Sequence, residues 1–218
     1  MAITDYATLV DAVQVWCARS DSTFSNQIPQ FISLAEERIF HGVGGPQDPL
    51  FSEAVRTDEM LTDTTIALTS GTGTLASDCL AVRRLDRTAD RVGLDPLSPD
   101  ELARRVAFAD TGNPRWYTVE GRTLKTAPSG YTGNLNILYY ARPTGISSGN
   151  TTNAVLTARP MLYLYATLIE AFMWMNAGQQ SQNWLAMYRA TASGVNRTAT
   201  AIEHGGGKRR AQPRRVFG

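Results

Sequence analysis

The stretch RPMLYLYATLIEAFMWMN, residues 159–176, carries apolar side chains around almost the whole circumference of a helix. A helix of this kind is buried among other elements, whereas a surface helix is apolar on one side only. Glu170 is the one acidic residue inside the run. We therefore predict that residues 162–174 form the central helix of a helical core, with Leu168 and Ile169 inside it.

A further helix is predicted directly after this segment by QSQNWLAMYRATASGVNRTATAIEH, residues 180–204. Its Ala, Ser and Thr content allows neighbouring helices to approach closely. Three glycines, residues 205–207, are expected to end it. Side chains that recur at spacings of three and four predict its inward face, which consists of Trp184, Met187, Thr191, Val195, Thr198 and Ile202.

Two helices are also predicted at the amino terminus. TDYATLVDAVQVWCARS, residues 4–20, has helical apolar spacing and Thr4 as its N-cap. STFSNQIPQFISLAEERIF, residues 22–40, repeats the spacing, and Pro29 either begins the main helix or kinks it. The short connection between the two segments predicts an antiparallel helical hairpin.

The middle of the chain is predicted to form several short strands. TTIALT, GTLAS and LAVRRLDR lie between Gly, Asp and Ser residues, and further strands are predicted by RWYTVEG, RTLKTAP and GNLNILYYARP. Glu120-Gly121 predicts a hairpin turn. In the last strand, Leu135, Ile137 and Tyr139 are expected to share one face. Ser98 followed by Glu101 forms a capping box, which predicts a short helix at 99–109.

This order of elements predicts an α+β fold. Two N-terminal and two C-terminal helices form one bundle, which carries a β-rich insertion and an extended C-terminal tail. The predicted parts are an N-terminal helical hairpin (1–45), the β-rich insertion with its short helix (46–153), the C-terminal helices of the bundle (154–204) and a flexible basic docking tail (205–218).

The sequence patterns indicate no enzyme, and they predict no cofactor and no metal site. His41 and His204 each adjoin a glycine-rich helix end and have no Cys or carboxylate at ligand spacing. Cys17 and Cys79 are far apart, so we expect reduced, packed thiols. Glu36-Glu37 is typical of a solvated or interfacial helix face. No opening segment resembles a signal peptide, and no uncharged run reaches the ~20 residues of a membrane span, so we expect neither secretion nor a membrane.

The carboxy-terminal segment differs from the rest of the chain in charge. Residues 205–218 contain five Lys or Arg and no acid, which leaves 16 Lys+Arg against 20 Asp+Glu in residues 1–204. Such a segment could contact nucleic-acid phosphates, act as a solubilising tail, or dock on a protein partner. The apolar end favours docking, because a purely electrostatic tail has no use for a phenyl ring. The predicted docking residues are Lys208, Arg209, Arg210, Pro213, Arg214, Arg215, Val216 and Phe217.

Three segments occur in a fixed order along the chain: IPQFISLAEERI (28–39), DTGNPRWYTVEGRTLKTAPSGYTGNLNILYYARPTGISS (110–148) and LTARPMLYLYATLIEAFMWM (156–175). Their characteristic positions are Thr111, Gly112, Pro114, Tyr117, Gly121, Leu124, Pro128, Tyr139, Tyr140, Pro160 and Leu162–Tyr165. In these segments and positions the chain resembles bacteriophage head-to-tail adaptor proteins, which form a ring beneath the portal.

The resemblance implies a structural virion protein made in the bacterial host cytoplasm and placed in the virion neck. It implies a homododecameric ring between the portal protein and a tail or nozzle protein. Double-stranded DNA would pass through the lumen, without sequence-specific binding, during packaging and genome ejection. The resemblance also implies that the C-terminal tail reaches the portal. The alternatives are a DNA-binding virion accessory protein and a virion-associated cell-wall hydrolase.

Overall fold

The structure is a computed structural model that describes residues 2–106 and 112–203. It is a mixed helix and sheet fold, so the predicted α+β class is confirmed. The chain divides into two compact units, each described by itself below. One unit comprises Met1–Asp58 with Thr144–Gly218, and the other comprises Glu59–Pro143. We call them the helical unit and the β unit.

The elements of both units follow in chain order. The helices are α1 (Tyr6–Cys17), α2 (Ser22–Ser25), α3 (Ile28–His41), α4 (Pro99–Val106), α5 (Ala154–Ala158), α6 (Pro160–Trp174) and α7 (Gly178–Glu203). The strands are β1 (Leu61–Leu68), β2 (Thr72–Thr74), β3 (Cys79–Arg87), β4 (Asp95–Pro96), β5 (Trp116–Glu120), β6 (Thr123–Ala127) and β7 (Gly133–Ala141).

Helix α6 is the central helix of the helical unit, because α1, α3, α5 and α7 all contact it. Pro160 stands in its first turn, where the missing N–H costs no helical hydrogen bond. Leu162, Leu168 and Ile169 are fully buried. The prediction of a buried central helix is therefore confirmed.

The helix starts differ in part from the prediction. Asp5, not Thr4, caps α1: its Oδ1 accepts the Thr8 N–H at 2.9 Å, and the Thr8 Oγ1 accepts the Asp5 N–H at 3.0 Å. This reciprocal pair is a capping box, which satisfies two backbone donors at once and outcompetes a lone threonine cap. Pro29 lies in the first turn of α3, so it begins that helix and does not kink it.

The predicted inward face of α7 is correct at Val195 but is otherwise displaced by one helical position, and the Ile202 side chain is outside those that the structure describes. Met187 and Thr198 are exposed, and Trp184 and Thr191 are only half-buried. Large apolar residues occur on two adjacent sides of this helix, so their spacing alone does not identify the side that is buried. The residues that are buried recur at spacings of three and four and are Ser181, Leu185, Tyr188, Ala192, Val195 and Ala199.

The β unit contains two mainly antiparallel sheets. One has the strand order β1-β7-β3, and the other has the order β2-β6-β5-β4, with only β4 parallel to its neighbour. Gly121 takes a left-handed φ of 61° in the turn between β5 and β6, as a tight hairpin requires. Leu135, Ile137 and Tyr139 share the buried face of β7, as predicted.

Helix α4 confirms the predicted short helix over its described part. The Ser98 Oγ accepts the Glu101 N–H at 3.3 Å, so Ser98 caps the helix as predicted, while the Glu101 carboxylate accepts the Ser98 hydroxyl at 3.2 Å instead of completing a capping box through the backbone. Residues 107–109 of the predicted helix lie outside the described residues.

Candidate protein–protein interface

Four aromatic rings from three helices form a continuous cluster in the helical unit. Trp184 of α7 stacks on Tyr165 and Phe172 of α6, with ring centroids 5.8 and 6.3 Å apart. Trp16 of α1 meets Trp184 edge-to-face at 5.2 Å. Such pairs contribute about 0.5–1.5 kcal/mol each beyond their buried area. We call this cluster, with the neighbouring Met161 and Met187, the aromatic face.

Helical spacing explains why these side chains share one side. Tyr165 follows Met161 by four residues and precedes Phe172 by seven, so all three point from the same side of α6. Met187 follows Trp184 by three residues and is its neighbour on α7.

Three members of the aromatic face are about half exposed in the part of the chain that the structure describes. Trp16 is 48% exposed, Met161 48% and Met187 49%. Its members are Trp, Tyr, Phe and Met, and no member is charged. This composition is enriched at the centre of protein–protein interfaces, where Trp and Tyr supply much of the binding energy. The face is therefore the best candidate among the described residues for a surface that binds another polypeptide.

The other side of α6 is fixed to α3 by buried polar contacts. Arg38 donates through Nε and Nη2 to the Glu170 Oε1 at 2.9 and 2.8 Å. The Glu36 Oε1 accepts the Tyr163 O–H at 3.2 Å and the Ile146 N–H at 2.9 Å. Buried charges are tolerated only when they are paired in this way. The contacts therefore hold α3 and α6 in one arrangement behind the aromatic face.

Helix α7 is tied to the segment that follows α3. Arg189 donates through Nε to the Phe51 carbonyl oxygen at 2.6 Å and through Nη2 to the Pro49 carbonyl oxygen at 2.8 Å. Asn196 accepts the Arg56 N–H at 3.0 Å and also donates to a backbone carbonyl in that segment. With 26 residues, α7 is about 39 Å long. These contacts hold α7, the last described helix, in a fixed position against residues 49–56.

Burial raises the pKa of two thiols and of several phenols in the structure, which keeps them neutral at pH 7. Burial raises the pKa of the Cys17 thiol to about 11, with Arg19 opposing the shift. Burial also raises the pKa of Cys79, and the Asp78 carboxylate adds to that effect. The pKa of Tyr188 is raised by its burial as well. Because the thiolate is the nucleophilic form, Cys17 and Cys79 are weak nucleophiles at neutral pH.

The histidines, the Glu36-Glu37 pair and the docking residues considered in the sequence analysis do not come together in one site within the described residues. His41 lies at the end of α3, where its Nε2 is 3.7 Å from the Glu37 carboxylate, and His204 lies outside the described residues. The pair Glu36-Glu37 is split, since Glu36 is buried and only Glu37 is exposed. All the predicted docking residues, Lys208, Arg209, Arg210, Pro213, Arg214, Arg215, Val216 and Phe217, lie outside the described residues.

Two further properties concern only residues 2–106 and 112–203. Within these ranges, no group of three or more His, Cys, Asp or Glu side chains could hold a metal ion. Within the same ranges, no helix is both long enough and apolar enough to cross a membrane.

Sequence reasoning did not identify the aromatic face. It assigned Trp184 and Met187 to the core, because the residue types that fill a core also fill an interface. The signal that was present is that α7 carries large apolar residues on two adjacent sides, with Trp184 and Met187 on one and Leu185 and Tyr188 on the other, and only one side can be buried in the unit.

One comparison with known proteins identifies relatives of the chain. A family model described as SU10 adaptor protein matches residues 4–215. No curated protein matches the chain.

Proposed function

The chain belongs to the SU10 adaptor protein family, and from this membership we propose that it joins the portal of a phage head to the tail. The observation that carries the proposal is the extent of the match, which covers both compact units and continues to residue 215. A phage adaptor is a structural virion protein, so the role proposed is structural and not enzymatic. Its place is the virion neck.

The proposed assembly is a homododecameric ring between the portal protein and a tail or nozzle protein. A ring subunit needs two unlike surfaces that pair head-to-tail and close after a fixed number of copies. The uncovered aromatic face supports the presence of a polypeptide partner, because exposed clusters of Trp, Tyr and Met mark binding surfaces.

The lumen of this ring is the proposed path of double-stranded DNA during packaging and ejection. Residues 1–204 carry 16 Lys+Arg against 20 Asp+Glu. An acidic body repels phosphates and lets DNA slide without sequence-specific binding.

The C-terminal segment is the proposed portal-docking peptide. Its four arginines, Arg209, Arg210, Arg214 and Arg215, would pair with portal carboxylates, which the guanidinium group binds through two parallel hydrogen bonds. Phe217 would be the apolar anchor, and Pro213 limits the conformations lost on docking. Ordering such a segment costs roughly 2–5 kcal/mol, and several copies on one ring offset this cost by raising each other's effective concentration. The contacts of Arg189 and Asn196 support this role, because they steady the helix to which the segment is attached.

Deletion of Lys208–Gly218 tests the proposal. The full chain and the deletion variant are each mixed with the portal, and the complexes are weighed by native mass spectrometry. We expect twelve copies on the portal for the full chain, weaker attachment for the deletion variant, and an intermediate effect for Phe217→Ala. Gln212→Ala is the matched control, since it changes a neighbouring uncharged residue.

Two results would contradict parts of this proposal. One bound copy, or none, for the full chain would exclude the ring. Equal attachment of the truncated and full chains across a range of salt would exclude the docking role of the segment. The cationic charge of the segment also favours a second candidate, a DNA-contacting arm. Loss of DNA binding on truncation, with portal attachment retained, would favour that candidate.

A further inference from the structure

Within the described residues, Trp16, Met161 and Met187 of the aromatic face stay about half exposed, and one side of α7 leads to this face from the C-terminal end. Thr198, Thr191 and Met187 lie within about 60° of Trp184 around the helix axis, since each residue turns the chain by roughly 100°. None of them is charged. The two cations of α7, Arg189 and Arg197, are turned about 140° or more away from Trp184. A cationic segment running along this side would therefore avoid both like charges.

The length of the remaining chain is sufficient to cover this path. Glu203 is the last described residue, and Trp184 lies 19 residues earlier, about 28 Å back along the helix axis. Phe217 follows Glu203 by 14 residues, which span up to about 46 Å when extended. Gly205–Gly207 come first, and glycine permits the reversal of direction that this path requires.

The chemistry of the segment matches that of the aromatic face. Arginine guanidinium groups bind over the faces of Trp, Tyr and Phe rings. The chain already makes such contacts: Arg19 lies over the Trp174 ring at 5.6 Å, and Arg105 lies over the Trp116 ring at 4.6 Å. The rings in these two contacts, Trp174 and Trp116, do not belong to the aromatic face.

We propose that residues 208–217 dock on the aromatic face of their own chain in the free protein. The segment runs back along the uncharged side of α7. Its arginines lie over the rings of Trp184 and Trp16, and Phe217 packs beside Met161 and Met187. The same segment is the one proposed to dock on the portal, so portal binding would release it and uncover the aromatic face for a neighbouring subunit.

Fluorine NMR of the isolated chain labelled with 5-fluorotryptophan tests this docking. The chain has four tryptophans, and each is assigned by a Trp→Phe variant. Trp16 and Trp184 belong to the aromatic face. Trp174 is a matched internal control, because it is also about half exposed and lies in the same unit. Deletion of Lys208–Gly218 should shift the Trp16 and Trp184 resonances and leave those of Trp174 and Trp116 in place. Phe217→Ala should produce part of the same shift.

A second pair of variants tests the site while keeping the segment. Met187→Lys places a cation on the aromatic face, so it should abolish the effect of the deletion on Trp16. Met173→Lys places the same charge on an exposed position of α6 outside the face and should leave the effect intact.

The NMR experiment tests this inference independently of the proposed portal function, because the sample contains no portal. Resonances of Trp16 and Trp184 that do not change on deletion would overturn the inference. Shifts that disappear on dilution would also overturn it, because they would indicate docking on a second copy. Failure of portal attachment in the separate mixing experiment would leave the NMR result unaffected.

Discussion

The buried ion pair between Arg38 and Glu170 provides a quantitative test of what holds the helical unit together. We predict that Glu170→Ala lowers the free energy of unfolding of this unit by about 3 kcal/mol. The Arg38 side chain is 4% exposed and the Glu170 side chain 13% exposed. Removing one partner of a buried pair leaves an uncompensated charge and costs about 3–5 kcal/mol. The partial exposure of Glu170 places the expected value at the lower end of that range.

The remaining contacts of Arg38 are too weak to compensate for the lost ion pair. After Glu170→Ala, the hydrogen bonds of Arg38 that remain within the described residues go to the Leu50 carbonyl oxygen and the Ser52 Oγ, each at 3.4 Å. These distances exceed those of a good N–H···O hydrogen bond, about 2.7–3.2 Å. A loss of about 3 kcal/mol corresponds to a decrease in Tm of roughly 6–12 °C for a chain of this size.

Thermal and urea unfolding, followed by far-UV circular dichroism, measure the effect. Glu120→Ala is the control, because the Glu120–Lys125 pair is exposed on both sides and contributes below about 1 kcal/mol. The double variant Arg38→Met with Glu170→Leu should be more stable than Glu170→Ala, since it removes both charges and keeps the volume. A loss below about 1 kcal/mol for Glu170→Ala would refute the assignment of a buried, paired charge.

Three further predictions concern other parts of the molecule. Leu168→Asp should destabilise the helical unit by several kcal/mol, because it places an unpaired carboxylate at a fully buried position; an unchanged unfolding midpoint would contradict this. Gly71→Ala should cost roughly 2 kcal/mol or more in chemical denaturation, because Gly71 has a φ of +70° and an added Cβ would collide with the Ser129 carbonyl oxygen. At pH 8, iodoacetamide should alkylate Cys17 at least about 100-fold more slowly in the folded chain than in urea, as measured by mass spectrometry. The reason is that the raised pKa of Cys17 lowers the fraction of reactive thiolate. This protection should weaken only as the pH rises towards 11.

The sequence by itself determined the elements that depend on local patterns. The apolar circumference of α6, the N-cap at Ser98 and the alternation along β7 are each set by residues close together in the chain. Local spacing is a sufficient cause for these features, because helical and strand periodicities arise from the backbone itself.

The tertiary structure alone decided which side of α7 is buried and which polar residues are interior. Arg38 is buried because Glu170, 132 residues away, supplies a paired charge. Local sequence contains no information about such a partner. Trp184 is only half-buried because the adjacent stripe of α7, which includes Leu185 and Tyr188, takes the interior position. Whether a large apolar side chain becomes core or interface depends on what packs against it, and only the folded chain provides that neighbour.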